Sequence, residues 1–301
     1  MEMIQKVMAL LMSLLMSFLA SVGLVKPQNA AITLNYGTES SQVMDVYPPN
    51  GAETKQSNAA VLVLHDGFFA SGSKGDLKST CESITSHGYI AVAMDYRLLK
   101  ADTKTVTVYT VLDDMTKAIQ KLKDYSAENK LNITKIGLAG DSAGGYYAMM
   151  YAYSRIIYSP ITIAFVSARV APSDMTYAQW KGFYTDQQYI DLINLLGGTS
   201  FKVEDLASNN ATLSRAQVYL SPVNYLTRAS VPTLFAYAPK DTVVPFANKD
   251  ALEKELTACG VAHDYIEYSN ASHDLGSVWN NFVNAADFTD QLVNYCNRYF
   301  G

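Results

Sequence analysis

Five short, uninterrupted apolar runs recur along the chain, at residues 60–64, 90–94, 136–139, 161–166 and 233–237. Apolarity without alternation over so few residues suits strands covered on both faces, as in a parallel sheet. Between the runs lie stretches with helical spacing. Val111, Met115, Ala118, Ile119 and Leu122 place one apolar stripe on a helix that buries it against a sheet. A second helix is expected over about 246–259, stopping at Gly260, which suits a left-handed cap. A third is expected over about 281–299, carrying Phe282, Leu292, Tyr295 and Tyr299. Two more polar runs, 31–36 and 42–47, end in Pro48-Pro49 and read as an antiparallel edge hairpin. With a further strand around 265–267, the pattern predicts an α/β fold, doubly wound, on a mostly parallel sheet of eight strands.

One stretch breaks the alternation. Residues 172–219 lack an obvious strand and hold Tyr177, Trp180, Phe183, Tyr184, Tyr189 and the Gly197-Gly198 turn. A connection of this length inside a compact domain is functional or carries its own helices. A small helical cap insertion is therefore expected at about 172–219. Its aromatic residues would stack on sugar, enclose an acyl chain, or simply pack the cap.

The chain of 301 residues can bury one core, or one core with an inserted subdomain. Its net charge of −5 comes with scattered lysines and no basic stripe. Nucleic acid is excluded as a partner, because phosphate contacts need clustered positive charge. At the N-terminus, Lys6 precedes an uncharged run over 7–25 closed by Lys26-Pro27. That is the pattern of a secretory signal peptide over 1–30, with an uncleaved anchor as the alternative reading. The expectation is a secreted, extracytoplasmic domain over 31–301, in contact with membrane only if the leader is retained. Cys81, Cys259 and Cys296 form no metal-ligand spacing. In an exported chain Cys259 and Cys296 would be the couple to pair; the alternative is three buried thiols. No metal or organic cofactor is expected.

Gly140-Asp141-Ser142-Ala143-Gly144 directly follows the apolar run 136–139 and directly precedes a helix-compatible stretch. That strand-turn-helix setting is what a nucleophilic serine needs. The backbone must turn so sharply that side chains at Gly140 and Gly144 would collide. The helix starting there aims its free N–H groups at the hydroxyl. A serine attacking an acyl carbon creates an oxyanion, for which each preorganised N–H donor contributes about 3 kcal/mol. Ala143, directly after the serine, is one candidate donor. The others are expected in the loop His65-Asp66-Gly67-Phe68-Phe69-Ala70-Ser71-Gly72, with Gly67 and Phe68 as backbone donors. His65 and Asp141 support these turns.

The chain has four histidines. His65 belongs to the loop above, and Ser86-His87-Gly88 falls at a predicted helix end. His263 stands just before the strand around 265–267. His273 follows it, on the edge of the sheet where loops meet ligands. His273 is thus favoured over His263 as the base. Asp241 ends the run 233–237 on the same edge and is the candidate carboxylate, holding the imidazole in the tautomer that accepts the serine proton. The alternative for Asp241 is a turn residue that caps the helix after Val243.

These pieces resemble the α/β-hydrolase serine esterases, in particular the hormone-sensitive-lipase-like and acetyl-esterase-like (BD-FAE-like) branch. The marks are Asp45-Val46-Tyr47-Pro48-Pro49, the His65 loop, Asp95-Tyr96-Arg97-Leu98, Gly140-Asp141-Ser142-Ala143-Gly144-Gly145, Leu220-Ser221-Pro222, and Pro232-Thr233-Leu234 leading to Asp241 and His273. The chain departs from the usual His-Gly-Gly loop: Asp66 replaces the first Gly, and Phe68 stands where a small residue is common. Backbone N–H groups survive such changes, and the bulk of Phe68 and Phe69 is expected to narrow the acyl side of the pocket. The resemblance implies a serine carboxylic-ester hydrolase acting on short acyl esters of carbohydrate or aryl alcohols. A serine peptidase of the same fold is the alternative within enzymes. A non-catalytic binding or adhesion protein is the alternative outside them, and the presence of all three triad candidates argues against it.

Overall fold

The computed structural model describes residues 30–208, 210–275 and 278–301, with side chains left undescribed over 278–288. The predicted leader, apart from Ala30, and the side chain of Phe282 lie outside this description. Eight strands make one sheet: β1 (Ile32–Asn35), β2 (Val43–Tyr47), β3 (Asn58–Leu64), β4 (Ile90–Met94), β5 (Ile133–Asp141), β6 (Thr162–Arg169), β7 (Thr233–Tyr237) and β8 (His263–Glu267). Their spatial order is β1-β2-β4-β3-β5-β6-β7-β8. β1 and β2 form the expected antiparallel hairpin, with Ile32 opposite Val46, and β2 runs antiparallel to β4. All later pairs are parallel. β5 and β6 extend past their apolar runs, because the ladder continues through polar pairs from Lys135–Thr162 to Asp141–Arg169.

Helices cover both faces: α1 (Lys78–Ser86), α2 (Val108–Glu128), α3 (Ala143–Ser154), α4 (Tyr177–Trp180), α5 (Asp186–Gly197), α6 (Glu204–Ala207), α7 (Ala211–Tyr219), α8 (Ala247–Cys259) and α9 (Val278–Phe300). Alternation along β3 assigns the layers. Leu62 and Leu64 pack with Val111, Met115 and Ile119 of α2 and with Tyr146 and Met150 of α3. Val61 and Val63 face the other way, onto Cys81 and Ile84 of α1 and Leu292, Tyr295 and Cys296 of α9. α3 shows no polar face because every residue from Ala143 to Tyr153 is buried.

The expected pairing of Cys259 with Cys296 is not found. All three cysteines are free thiols, and Cys259 packs in the α2–α3 layer while Cys296 lies in the α1–α9 layer. The sheet separates them. Burial also pushes the Cys81 thiol up to about 12.

Helices α4–α7 fill the connection between β6 and β7. Trp180 and Tyr189 are fully buried there, so they pack these helices and cannot stack on a ligand; Phe183 stays exposed. Ser221 Oγ accepts the Met175 N–H at 2.7 Å, and Tyr146 Oη donates to the Leu220 carbonyl at 2.8 Å. The Leu220-Ser221-Pro222 segment thereby ties this layer to α3.

A buried ion pair anchors the N-terminal part of α2. Asp114 is fully buried, Arg97 forks onto it at 2.8 and 2.6 Å, and Gln42 Nε2 donates to the same carboxylate at 2.8 Å. Breaking such a pair leaves a partly buried charge uncompensated. Asp114→Ala should therefore lower the unfolding free energy by about 3 kcal/mol, read from urea denaturation.

Candidate active site

Ser142 occupies the turn between β5 and α3, with φ 50° and ψ −118°. A non-glycine residue in that region is strained and persists only where the surroundings over-determine it. Two glycines provide the room. A Cβ on Gly140 would lie 2.5 Å from the Gly144 carbonyl carbon, and one on Gly144 would lie 2.2 Å from the Leu64 oxygen. The Ser142 N–H donates to the Arg169 carbonyl at 2.8 Å, and its own carbonyl accepts the Tyr146 N–H of the first α3 turn.

His273 stands in the loop after β8. Its Nδ1 lies 2.8 Å from Asp241 Oδ2, and its Nε2 lies 3.0 Å from Ser142 Oγ. An ionised carboxylate only accepts, so Nδ1 carries the proton and Nε2 offers its lone pair to the serine hydroxyl. The two oxygens of Asp241 have different partners. Oδ2 meets the imidazole, while Oδ1 accepts the Val243 and Val244 N–H groups at 2.7 and 2.9 Å. The turn before it closes through Asp241 N–H to the Ala238 carbonyl at 3.0 Å.

The other histidines fall elsewhere. His263 is the first residue of β8, opposite Thr233, on the sheet edge away from Ser142. Its Nδ1 is bonded to the Val261 carbonyl at 2.8 Å. His87 caps α1, with Nδ1 on the Ser83 carbonyl at 2.9 Å. His65 is buried under the loop after β3, stacked on Tyr96 with ring centroids 4.1 Å apart. Its Nδ1 donates to the Asp66 carbonyl at 2.7 Å, and Tyr96 Oη donates to the His65 carbonyl at 2.7 Å. Burial lowers the His65 pKa, which keeps the ring uncharged as a prop for the turn.

That turn is left-handed at three successive residues: Gly67 (φ 116°), Phe68 (φ 53°) and Phe69 (φ 67°). Asp66 is not among them, so the strain falls on the two phenylalanines. Phe69 offsets it by burial, 3% exposed and edge-on to Tyr146 and Tyr147 at 5.3 and 5.5 Å. Phe68 points outward, 47% exposed. The expected narrowing of the pocket by these rings is therefore corrected, since neither lines the cavity at Ser142. That cavity, of about 200 Å³, is walled by Asp66, Asp141, Ser142, Arg169, Val170, His273, Asp274 and Leu275. Among the described residues, no acceptor binds the N–H groups of Gly67, Phe68 or Ala143. Arg169 and Asp274 carry no motif signal. Only strand register places Arg169 beside Asp141, and only the loop after β8 brings Asp274 to the cavity.

The parallel sheet, the sharp serine turn and the Ser142–His273–Asp241 row define the α/β-hydrolase fold. The BD-FAE family model matches residues 44–256, and the chain belongs to that family of hydrolytic enzymes. No curated protein matches it. Among solved structures, a truncated carbohydrate esterase from gut microbiota is 16% identical at a TM-score of 0.69, covering 88% of this chain and 96% of that one. Propionate-bound esterase 2 of Thermogutta terrifontis is 19% identical at 0.67, covering 87% and 93%. Esterase B of Lactobacillus rhamnosis is 14% identical at 0.65, covering 99% of each chain. At these identities the likeness is one of fold.

Two measurements probe the turns. Gly144→Ala drives a methyl group into main-chain atoms, and should cost about 1–3 kcal/mol of stability with loss of ester turnover. Phe68→Gly relieves the left-handed strain and should raise stability by about 1 kcal/mol, whereas Phe69→Ala should lower it by about 3 kcal/mol, both read in urea.

Proposed function

We propose that this enzyme is a serine carboxylic-ester hydrolase that works through an acyl-enzyme on short acyl esters of carbohydrate or aryl alcohols. The observation that carries the reading is the single row from Ser142 Oγ to His273 Nε2 at 3.0 Å and from His273 Nδ1 to Asp241 at 2.8 Å. In this reading Ser142 Oγ attacks the acyl carbon while His273 Nε2 takes its proton. Asp241 keeps the imidazole aimed and stabilises its charge. The oxyanion of the tetrahedral intermediate is held by the N–H groups of Ala143, Gly67 and Phe68, each without another acceptor among the described residues. His273 then returns the proton to the leaving alcohol. Water, activated by the same imidazole, releases the acid.

The small cavity, of about 200 Å³, supports a short acyl group, having room for a few carbons. Carbohydrate as the alcohol is supported by the likeness to the gut carbohydrate esterase, and a short acyl by the propionate- and butyrate-bound forms of the Thermogutta enzyme. The charged leader pattern supports export of the domain that begins near residue 31.

A fluorophosphonate probe should label the wild-type protein and leave Ser142→Ala unlabelled. p-Nitrophenyl acetate should be hydrolysed faster than the octanoate, and Ser142→Ala or His273→Ala should lower kcat by about 10⁴-fold or more. An unlabelled wild type would sink the serine mechanism. Turnover lost in His263→Ala but kept in His273→Ala would overturn the assignment of the base.

A further inference from the structure

Arg169 ends β6 directly beside Asp141, the last residue of β5, in the parallel ladder. A lone arginine after an apolar run would ordinarily be a solvated strand end. Here the side chain is largely buried, Nε donates to Asp141 Oδ1 at 2.7 Å, and Nη2 forks onto Oδ2. Burial works against the guanidinium charge, but Asp141 and the Tyr268 hydroxyl outweigh it and hold its pKa above the ordinary value. A charge at that depth without its partner would be costly, so the pair is held together.

The contacts of Arg169 reach both halves of the Ser142–His273 pair. Its carbonyl accepts the Ser142 N–H at 2.8 Å, and its fork grips the residue immediately before the serine. Its guanidinium charge is also stabilised by Tyr268, the residue that follows β8. Tyr268 is anchored by its N–H on the Tyr237 carbonyl, and its own carbonyl takes the Ala271 N–H, two residues before His273. The serine turn and the root of the histidine loop thus both act on one rigid, planar side chain in the cavity wall.

We propose that Arg169 is a positioning residue that, through Asp141 and Tyr268, holds the Ser142 turn and the His273 loop in catalytic register. The proposal rests on the serine mechanism above. A displacement of about 1 Å between such groups costs about 100-fold in rate, so the link acts on kcat rather than on substrate capture. It also balances charge. The His273 imidazole is faced by Asp241 after β7, Asp66 after β3, Asp141 and Arg169 at the ends of β5 and β6, and Asp274 on its own loop, where Lys240 also meets Asn270. Neutralising Arg169 would leave Asp141 as one more uncompensated carboxylate, favouring the imidazolium. Neutralising Asp141 would do the reverse.

The experiment compares wild type, Arg169→Met, Arg169→Lys and Asp141→Asn on p-nitrophenyl acetate across pH, after fluorophosphonate labelling of the wild type. Arg169→Met should lower kcat by about 10- to 100-fold with KM within about threefold of wild type. Arg169→Lys, which keeps the charge but not the fork, should recover part of that loss. The acid limb of kcat/KM should move to higher pH in Arg169→Met and to lower pH in Asp141→Asn. Folded Arg169→Met with wild-type kcat and an unmoved limb would overturn the proposal, as would limbs that move the same way in both variants. If Arg169→Met does not fold, wild-type kcat and limb in both Arg169→Lys and Asp141→Asn would overturn it equally. A wild type that takes up no label would instead overturn the serine mechanism on which the proposal rests.

Discussion

The close crossing of Gly144 over the end of β3 is the contact on which the site depends. A Cβ at that position would sit 2.2 Å from the Leu64 oxygen and 2.6 Å from the His65 oxygen. Only a glycine lets α3 begin this near the neighbouring strand. The helix N-terminus and the loop after β3 are thereby brought close together, and among the described residues no acceptor binds the N–H groups of Ala143, Gly67 or Phe68. Strain accumulates around this crossing, in the left-handed backbone of Ser142, Phe68 and Phe69. It is offset nearby, by the aromatic packing of Phe69, Tyr96, Tyr146 and Tyr147 and by the ring of His65 stacked beneath.

Charge in the cavity is arranged with equal economy. Asp241 divides its oxygens between a helix-turn cap and the imidazole, so the backbone as well as His273 fixes its orientation. Asp141 is balanced by Arg169, whereas Asp66 stands exposed at the cavity rim. Among the described residues, the cavity wall combines Asp66, Asp141 and Asp274 with the Arg169 guanidinium, which is tied to Asp141. The aromatic residues of the α4–α7 layer contribute mostly packing: Trp180 and Tyr189 are spent inside it, and Tyr184 reaches the Val243 carbonyl beside the Asp241 turn.

Much of the architecture was legible because it rests on local pattern. The runs 90–94 and 233–237 coincide with β4 and β7, since strands buried on both faces must be apolar throughout. β5 and β6 proved longer, because ladder hydrogen bonds do not require apolar side chains and continue through Asp141 and Arg169. The serine turn could be read from two glycines at fixed spacing. The order Ser142, Asp241, His273 could be read from the ends of successive strands. The direction of the Phe68 and Phe69 rings could not, because adjacent residues in left-handed backbone point their side chains apart in a way that no periodicity encodes.

The sequence by itself determined the parallel α/β plan, the place of the sharp turn at Ser142 and the short set of histidines and carboxylates able to serve it. These follow from apolar periodicity and from the steric limits of the backbone. Only the tertiary structure decided the thiol state, because Cys259 and Cys296 are separated by a sheet that chain spacing does not reveal. It alone decided the dual use of Asp241 and the joining of Asp141, Arg169 and Tyr268 around the site. Those contacts connect residues far apart in the chain, and their geometry is set by strand register and by the crossing of β5 and α3 over β3, not by any local preference.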